Sequence, residues 1–228
     1  MDIVMVAGLW LTGSAWDDVA PEIEALGHRP VPVTLPGQGD GREGATYDDQ
    51  VAAVLAAVDA ADGEVLVVGH SAACTLAWVA ADARPDKVAA VALIGGVPTS
   101  DGQPYADFFE PAGDAVPFPG WEPFAGADSD DMSDELKASV AAGAVPVPVA
   151  VTRGTVRLSD PRRYDVPVTL VCPEFSPAQA KEWIGSGEVP ELAKAARLEL
   201  VDIDSGHWPM FTRPTELARL LVEAGARR

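Results

Sequence analysis

Ser71 closes the run Val65-Leu66-Val67-Val68-Gly69-His70-Ser71 and is followed by Ala72-Ala73-Cys74 and a helical pattern carrying Leu76 and Val79. A serine at the tip of a tight strand-to-helix turn is a setting in which a hydroxyl serves as a nucleophile. Such a turn strains the serine backbone, so the residues two positions away on either side must be small; Gly69 and Ala73 both are. The N-terminus of the following helix and the Ala72 N–H then face the negative charge that develops on a carbonyl oxygen under attack. A small-x-Ser-x-small pattern alone is common by chance, and its bland reading is a structural turn. The apolar strand before it and the helix after it favour the nucleophile.

A serine hydroxyl needs a base, and the chain offers His28, His70 and His207. His28, in Leu26-Gly27-His28-Arg29-Pro30, reads as a solvated loop residue, and His70 belongs to the elbow, its side chain expected to point away from the serine tip. His207, in Asp204-Ser205-Gly206-His207-Trp208-Pro209, lies just past the last apolar run and before the last helical pattern. That edge of an open α/β sheet is where ligands bind, which makes His207 the expected general base. The first run ends Val6-Ala7-Gly8-Leu9-Trp10, where a glycine lets the backbone approach a substrate oxygen. The Leu9 and Ala72 N–H groups are then the expected oxyanion hole; the competing reading of Gly8 is an ordinary strand-ending glycine.

These residues need a scaffold, and the rest of the chain supplies its pattern. Short apolar runs at Ile3–Ala7, Val31–Leu35, Val65–Val68, Val88–Ile94, Val166–Cys172 and Leu198–Ile203 alternate with helical stretches, the signature of a parallel sheet wrapped by helices. Between the second and third runs, Val51, Val54, Leu55 and Val58 make one helical stripe, with Thr46 and Asp49 placed as a capping box. In the C-terminal helix, Thr212 is the expected cap, Pro214 suits the first turn, and Leu217, Leu220 and Leu221 form the buried stripe. The alternation breaks at 98–164, rich in proline and glycine and without a strand pattern, too long for an ordinary connection. It is expected to be an inserted helical lid, with a short helix at Ser133–Ala142, on a core formed by 1–97 and 165–228. Phe108, Phe109, Phe118, Phe124, Tyr105 and Trp121 lie in it, either as an apolar wall over a substrate pocket or as the lid's own small core.

Composition narrows the classes. Hydrophobic residues make up 48% and charged ones 22% of the 228 residues, as in a globular domain. The net charge of −19 repels phosphate backbones and anionic headgroups, so neither nucleic acid nor a membrane is expected as a partner. Cys74 and Cys172 read as free, buried thiols of a reducing compartment, and the cytoplasm is the expected location. Gly39-Asp40-Gly41-Arg42-Glu43-Gly44 matches a dinucleotide fingerprint, but it follows the second strand, and the next strand ends in Val68-Gly69 without an acidic residue. Three scattered histidines and two distant cysteines do not make a zinc site.

Taken together, four motifs resemble the α/β-hydrolase superfamily, in its branch of small esterases, methylesterases and hydroxynitrile lyases. They are Gly8 with Trp10 and Gly13-Ser14-Ala15-Trp16, Leu35-Pro36-Gly37-Gln38-Gly39-Asp40-Gly41, Gly69 to Ala73, and Gly206-His207-Trp208-Pro209. The resemblance covers nearly the whole chain. It implies a mainly parallel six-stranded sheet lacking the family's two N-terminal antiparallel strands, and hydrolytic acyl chemistry with no cofactor. The expected reaction is cleavage of a small, largely apolar ester, lactone or thioester through an acyl-enzyme. Trp10, Phe108, Phe109, Trp121 and Trp208 are expected to line the substrate pocket. The same serine and histidine also serve lyases, and an inactive ligand-binding protein of this fold is a further alternative.

Three positions depart from the family. Ala7 stands where histidine is frequent, and Ala73 replaces the second elbow glycine. The third departure concerns the acid, usually an aspartate after the strand that follows the lid; here that loop reads Cys172-Pro173-Glu174-Phe175-Ser176-Pro177. Glu174 is its carboxylate, and Asp101, after the fourth strand, and Asp204, on the histidine's own loop, are the alternatives.

Overall fold

Six of the apolar runs join one sheet in the computed structural model, which describes residues 1–226. The strands are β1 (Asp2–Val6), β2 (Arg29–Val33), β3 (Val65–His70), β4 (Val88–Ile94), β7 (Val168–Cys172) and β8 (Leu198–Asp202), in the order β2-β1-β3-β4-β7-β8. Every pairing is parallel. β2 begins earlier than its apolar run suggests and carries Pro30 and Pro32; an edge strand tolerates residues without an N–H, where an interior ladder does not.

Because β3 is covered on both faces, all of its residues are buried, as in parallel sheets generally. Alternate side chains feed two cores: Val4, Val6, Val65 and Val67 on one face, Ile3, Met5, Leu66 and Val68 on the other. Helices α2 (Tyr47–Asp59) and α3 (Cys74–Ala83) bury Val54, Val58 and Leu76 in the first core. Helices α1 (Ala20–Ala25) and α8 (Pro214–Ala226) bury Ile23, Leu217 and Leu221 in the second. The chain leaves β1 toward one face and β3 toward the other, although the two strands are neighbours with Val6 opposite Gly69. A crevice opens where such loops part, at the carboxyl ends of the strands.

Thr46 caps α2 in a full capping box with Asp49. Thr212 does not cap α8: it ends a separate short helix, α7 (Pro209–Thr212), and its hydroxyl lies 2.7 Å from Ser205 Oγ. Helix α6 (Pro177–Ser186) connects β7 to β8. Among the described residues no helix is long and apolar enough to cross a membrane.

The 98–164 segment holds α4 (Asp134–Gly143), capped by Ser133, and the short α5 (Val149–Thr152). It also contains an antiparallel pair the sequence does not announce, β5 (Ala115–Val116) with β6 (Val147–Pro148); two residues are too few to show an alternation. Tyr105 is not part of a wall over the pocket but is buried against Tyr47, with ring centroids 4.9 Å apart. Where the segment returns to the sheet, Asp82 of α3 accepts the Ser159 and Asp160 N–H groups at 2.9 and 2.8 Å. Arg163 sits between Asp82 and Glu191, 3.0 Å from each, all three buried.

Removing one partner of a buried ionic network leaves the others unpaired in low dielectric. Arg163→Met is therefore expected to destabilise the fold by about 3–5 kcal/mol, measured as a lowered urea midpoint with an unchanged slope.

Candidate active site

The site is built where β1, β3, β4, β7 and β8 end. Ser71 follows β3 and has φ 55, a left-handed backbone that β-carbon sterics penalise outside glycine. Its neighbours make room for that turn. A β-carbon on Gly69 would lie 2.3 Å from the Ala73 carbonyl oxygen, and one on Gly96 would lie 2.6 Å from the Ser71 carbonyl oxygen. One on Gly8 would meet Ser71 Cβ at 2.9 Å. Ala73, in contrast, has an ordinary right-handed backbone and is fully buried, so a methyl there is accommodated.

Of the three carboxylates considered, the fold brings Glu174 to His207. Its Oε1 lies 2.7 Å from His207 Nδ1, and both side chains are largely buried. An ionised carboxylate can only accept, so Nδ1 carries the proton and Nε2 is left with its lone pair. Asp101 is not brought there: its Oδ1 accepts the Leu158 N–H at 2.8 Å. Asp204 points into solvent, 3.7 Å from Arg213. Glu174 lies two residues past the end of β7, which is next to β8 in the sheet, and so reaches across one strand spacing. Gly95, at φ 57, leaves space for this contact; a β-carbon there would lie 3.1 Å from His207 Nδ1 and 3.2 Å from Glu174 Oε2.

The histidine loop is also gripped by the inserted segment. The His207 N–H donates to the Asp128 carbonyl at 2.8 Å, and the Gly206 N–H to Asp131 Oδ2 at 2.8 Å. Burial, together with the nearby Glu174 charge, pushes the Asp128 carboxyl above its ordinary range, against the opposing pull of His207.

Ser71 and His207 line one cavity of about 260 Å³, with Gly8, Leu9, Trp10, His70, Ala72, Phe108, Phe109, Phe124 and Trp208. The two candidate oxyanion residues, Leu9 and Ala72, thus flank the serine. Among the described residues no hydrogen bond joins Ser71 to His207; contacts of this kind tighten when substrate binds. Trp10 has φ 66, donates Nε1–H to the Val116 carbonyl at 3.1 Å, and packs on Phe109 with centroids 4.9 Å apart. Phe108 is 65% exposed and forms the rim.

Three expectations change. Trp121 does not line the cavity but stands behind Trp208, 5.2 Å between centroids, with its Nε1–H donated to the Lys137 carbonyl; Phe124 takes the inner place. His70 does not point away: it is buried on the cavity wall, its ring 4.9 Å from that of His207. His28 is partly buried, its Nδ1 without a hydrogen-bond partner among the described residues, and burial lowers its pKa. Cys74 and Cys172 are free and buried.

The model of the Alpha/beta hydrolase family matches residues 3–220. A relative, the pyrethroid hydrolase of Sphingobium wenxiniae, is 33% identical over 109 residues, covering 44% of this chain and 38% of that protein. The matched stretch is thus well under half of that relative's length. An extracellular alpha/beta-hydrolase from a Paenibacillus species, described as sharing structural and functional homology with a tobacco salicylic acid binding protein, superposes with a TM-score of 0.78 at 19% identity over 100% of both chains. A methylesterase from Arabidopsis superposes with a TM-score of 0.77 at 17% identity over 99% of both. At these identities the structural likeness is one of fold.

Gly95→Ala places a methyl against the His207–Glu174 contact in a left-handed residue, a strain of about 1–2 kcal/mol. The expected result is a lower thermal midpoint together with a displaced His207 ring in the variant's crystal structure. A variant as stable as the parent, with the 2.7 Å contact intact, would contradict this account.

Proposed function

The chain belongs to the alpha/beta hydrolase family, and from that footing we propose that it is a serine hydrolase that cleaves a small, largely apolar carboxylic ester. The observation that carries the reading is the 2.7 Å contact between Glu174 and His207 Nδ1, with the strained Ser71 lining the same cavity as the imidazole. Hydrolysis is what the name of one of its likenesses denotes, a pyrethroid hydrolase, and ester cleavage what the name of another does, a methylesterase.

In this mechanism His207 Nε2 takes the Ser71 proton as the hydroxyl oxygen attacks the ester carbonyl carbon. The Leu9 and Ala72 N–H groups receive the oxyanion, each donor contributing about 2.7–4 kcal/mol at the transition state. Glu174 holds the imidazole in the Nδ1–H tautomer and stabilises the imidazolium. Collapse of the tetrahedral intermediate expels the alcohol, protonated by His207. Water, activated by the same nitrogen, then hydrolyses the acyl-enzyme.

The substrate class follows from the walls. Trp10, Phe109, Phe124 and Trp208 present aromatic faces and edges around about 260 Å³, below the roughly 300–1,000 Å³ of drug-sized sites. The net charge of −19 disfavours anionic substrates. Lactones and thioesters of similar size share the acyl chemistry. The 98–164 segment acts as the lid, contributing Phe108, Phe109 and Phe124 to the cavity. Two free, buried thiols suit a reducing compartment, the cytoplasm.

A fluorophosphonate probe is expected to label Ser71, and purified protein to turn over short-chain or aromatic esters. Lack of labelling by folded protein favours the binding-protein alternative, and labelling without turnover of any ester, lactone or thioester favours the lyase. Ser71→Ala should remove ~10³-fold or more of the activity. Glu174→Gln should lower kcat by ~10³–10⁴-fold, whereas Asp101→Asn and Asp204→Asn should stay within about twofold of the parent, outside the reacting constellation. A large kcat loss in either of these two with an active Glu174→Gln would reassign the acid.

A further inference from the structure

We propose that His70 and Gln38 are positioning residues that lock the Gly8–Leu9 peptide and the His207 loop into one frame around Ser71. The proposal rests on the esterase reading above and extends it to residues outside the Ser71, His207 and Glu174 constellation, His70 on the cavity wall and Gln38 behind it.

The Gly8 N–H donates to His70 Nδ1 at 3.3 Å, and His70 Nε2 lies 2.8 Å from the His207 carbonyl oxygen. A backbone N–H can only donate and a carbonyl can only accept, so the partners dictate the tautomer: Nδ1 bare, Nε2 protonated. One neutral imidazole at the end of β3 therefore ties the loop after β1 to the loop after β8. Burial, reinforced by the neighbouring His207 ring, holds the His70 pKa well below its ordinary value, which keeps the Nδ1 lone pair available to Gly8.

Gln38 completes the clamp from the other side. Its Nε2 donates to the Gly8 carbonyl at 3.0 Å and to the Leu11 carbonyl at 2.9 Å, while its Oε1 accepts from Gln50 Nε2 at 3.1 Å. Gln50 is itself held by the Pro36 carbonyl at 2.9 Å. Gln38 and Gln50 are completely buried and His70 is 1% exposed. The Gly8 carbonyl and the Leu9 N–H belong to one planar trans peptide, so they point in opposite directions. Anchoring the carbonyl on Gln38 thus aims the Leu9 N–H away from it, and Leu9 lines the cavity beside Ser71. With the Gly8 N–H held by His70, neither end of the Gly8 residue is free to rotate.

Isosteric variants separate the arms. Asparagine at 70 keeps an acceptor near the Nδ1 position and loses the donor; glutamine keeps a donor near the Nε2 position and loses the acceptor. Gln38→Met keeps the bulk and loses both donated bonds. Gln38→Met and His70→Gln, confirmed as folded by circular dichroism, should lower kcat by ~10- to 100-fold, as for a misplaced catalytic group, with KM within about threefold. Affinity for a trifluoromethyl ketone, whose adduct with Ser71 carries an oxyanion, should fall by the same factor as kcat/KM. His70→Asn should keep more of that affinity than His70→Gln. Unchanged kcat, a loss confined to KM, or undiminished ketone affinity would overturn the proposal.

Imidazole nitrogen NMR of the wild-type chain gives a readout that needs neither folded variants nor turnover. His70 should show a bare Nδ1 and a protonated Nε2 from pH 5 to 9, values that bracket the ordinary histidine range of about 6.5. His207 is the titratable ring facing it. A protonated Nδ1 or a His70 titration in that range refutes the clamp. Absence of both probe labelling and ester turnover in the wild-type chain is instead failure of the esterase reading, and the tautomer still decides the clamp.

Discussion

A serine backbone held at φ 55 costs about 1–2 kcal/mol, and the crowding around it keeps it there. The residue cannot relax toward a right-handed turn without moving the β3–α3 junction, which is sealed into the sheet and both cores. Gly69, Gly96 and Gly8 each lack the β-carbon that would collide with this junction. They come from the ends of three strands, β3, β4 and β1, that are adjacent in the sheet. Strain at one residue is thus carried by the parallel architecture as a whole, in the manner expected of functional sites.

From that fixed point the polar groups are set in opposing pairs. Gly8 is held at both ends, its carbonyl by Gln38 and its N–H by His70. The His207 residue is held through its ring by Glu174, its carbonyl by His70 and its N–H by Asp128. A buried hydrogen bond contributes only about 0.5–1.5 kcal/mol net, but leaving such a group unpaired costs about 1–3 kcal/mol. That asymmetry makes each of these polar contacts a strong restraint on direction even where its net contribution to stability is small.

The inserted segment is tied to the same frame. It brings Asp128 and Asp131 to the histidine loop and Phe109 and Phe124 to the cavity. At its far end the Arg163 network fastens it to α3 and to Glu191. Trp10, in a left-handed backbone of its own, joins the two parts by hydrogen bonds at Val116 and Val145. The cavity wall is therefore shared between sheet and insertion, and its shape depends on both.

Local pattern was enough for the sheet, the α2 cap, the elbow at Ser71 and the placing of His207 at the strand ends, because each depends on spacing within a few residues. It left Glu174, Asp101 and Asp204 open, put Trp121 in the cavity wall, misdirected His70 and took Thr212 for a cap. These are questions about which distant loops meet: Glu174 lies 33 residues from His207, and His70 lies 62 from Gly8 and 137 from His207. Periodicity reports which face of an element is buried; it carries no record of the partner that a polar side chain finds across the sheet. The amino-acid sequence by itself determined the scaffold and the tight turn at Ser71. Only the tertiary structure decided which groups surround His207 and which way the Gly8–Leu9 peptide faces, because those choices follow from strand adjacency and from the need to pair every buried donor and acceptor.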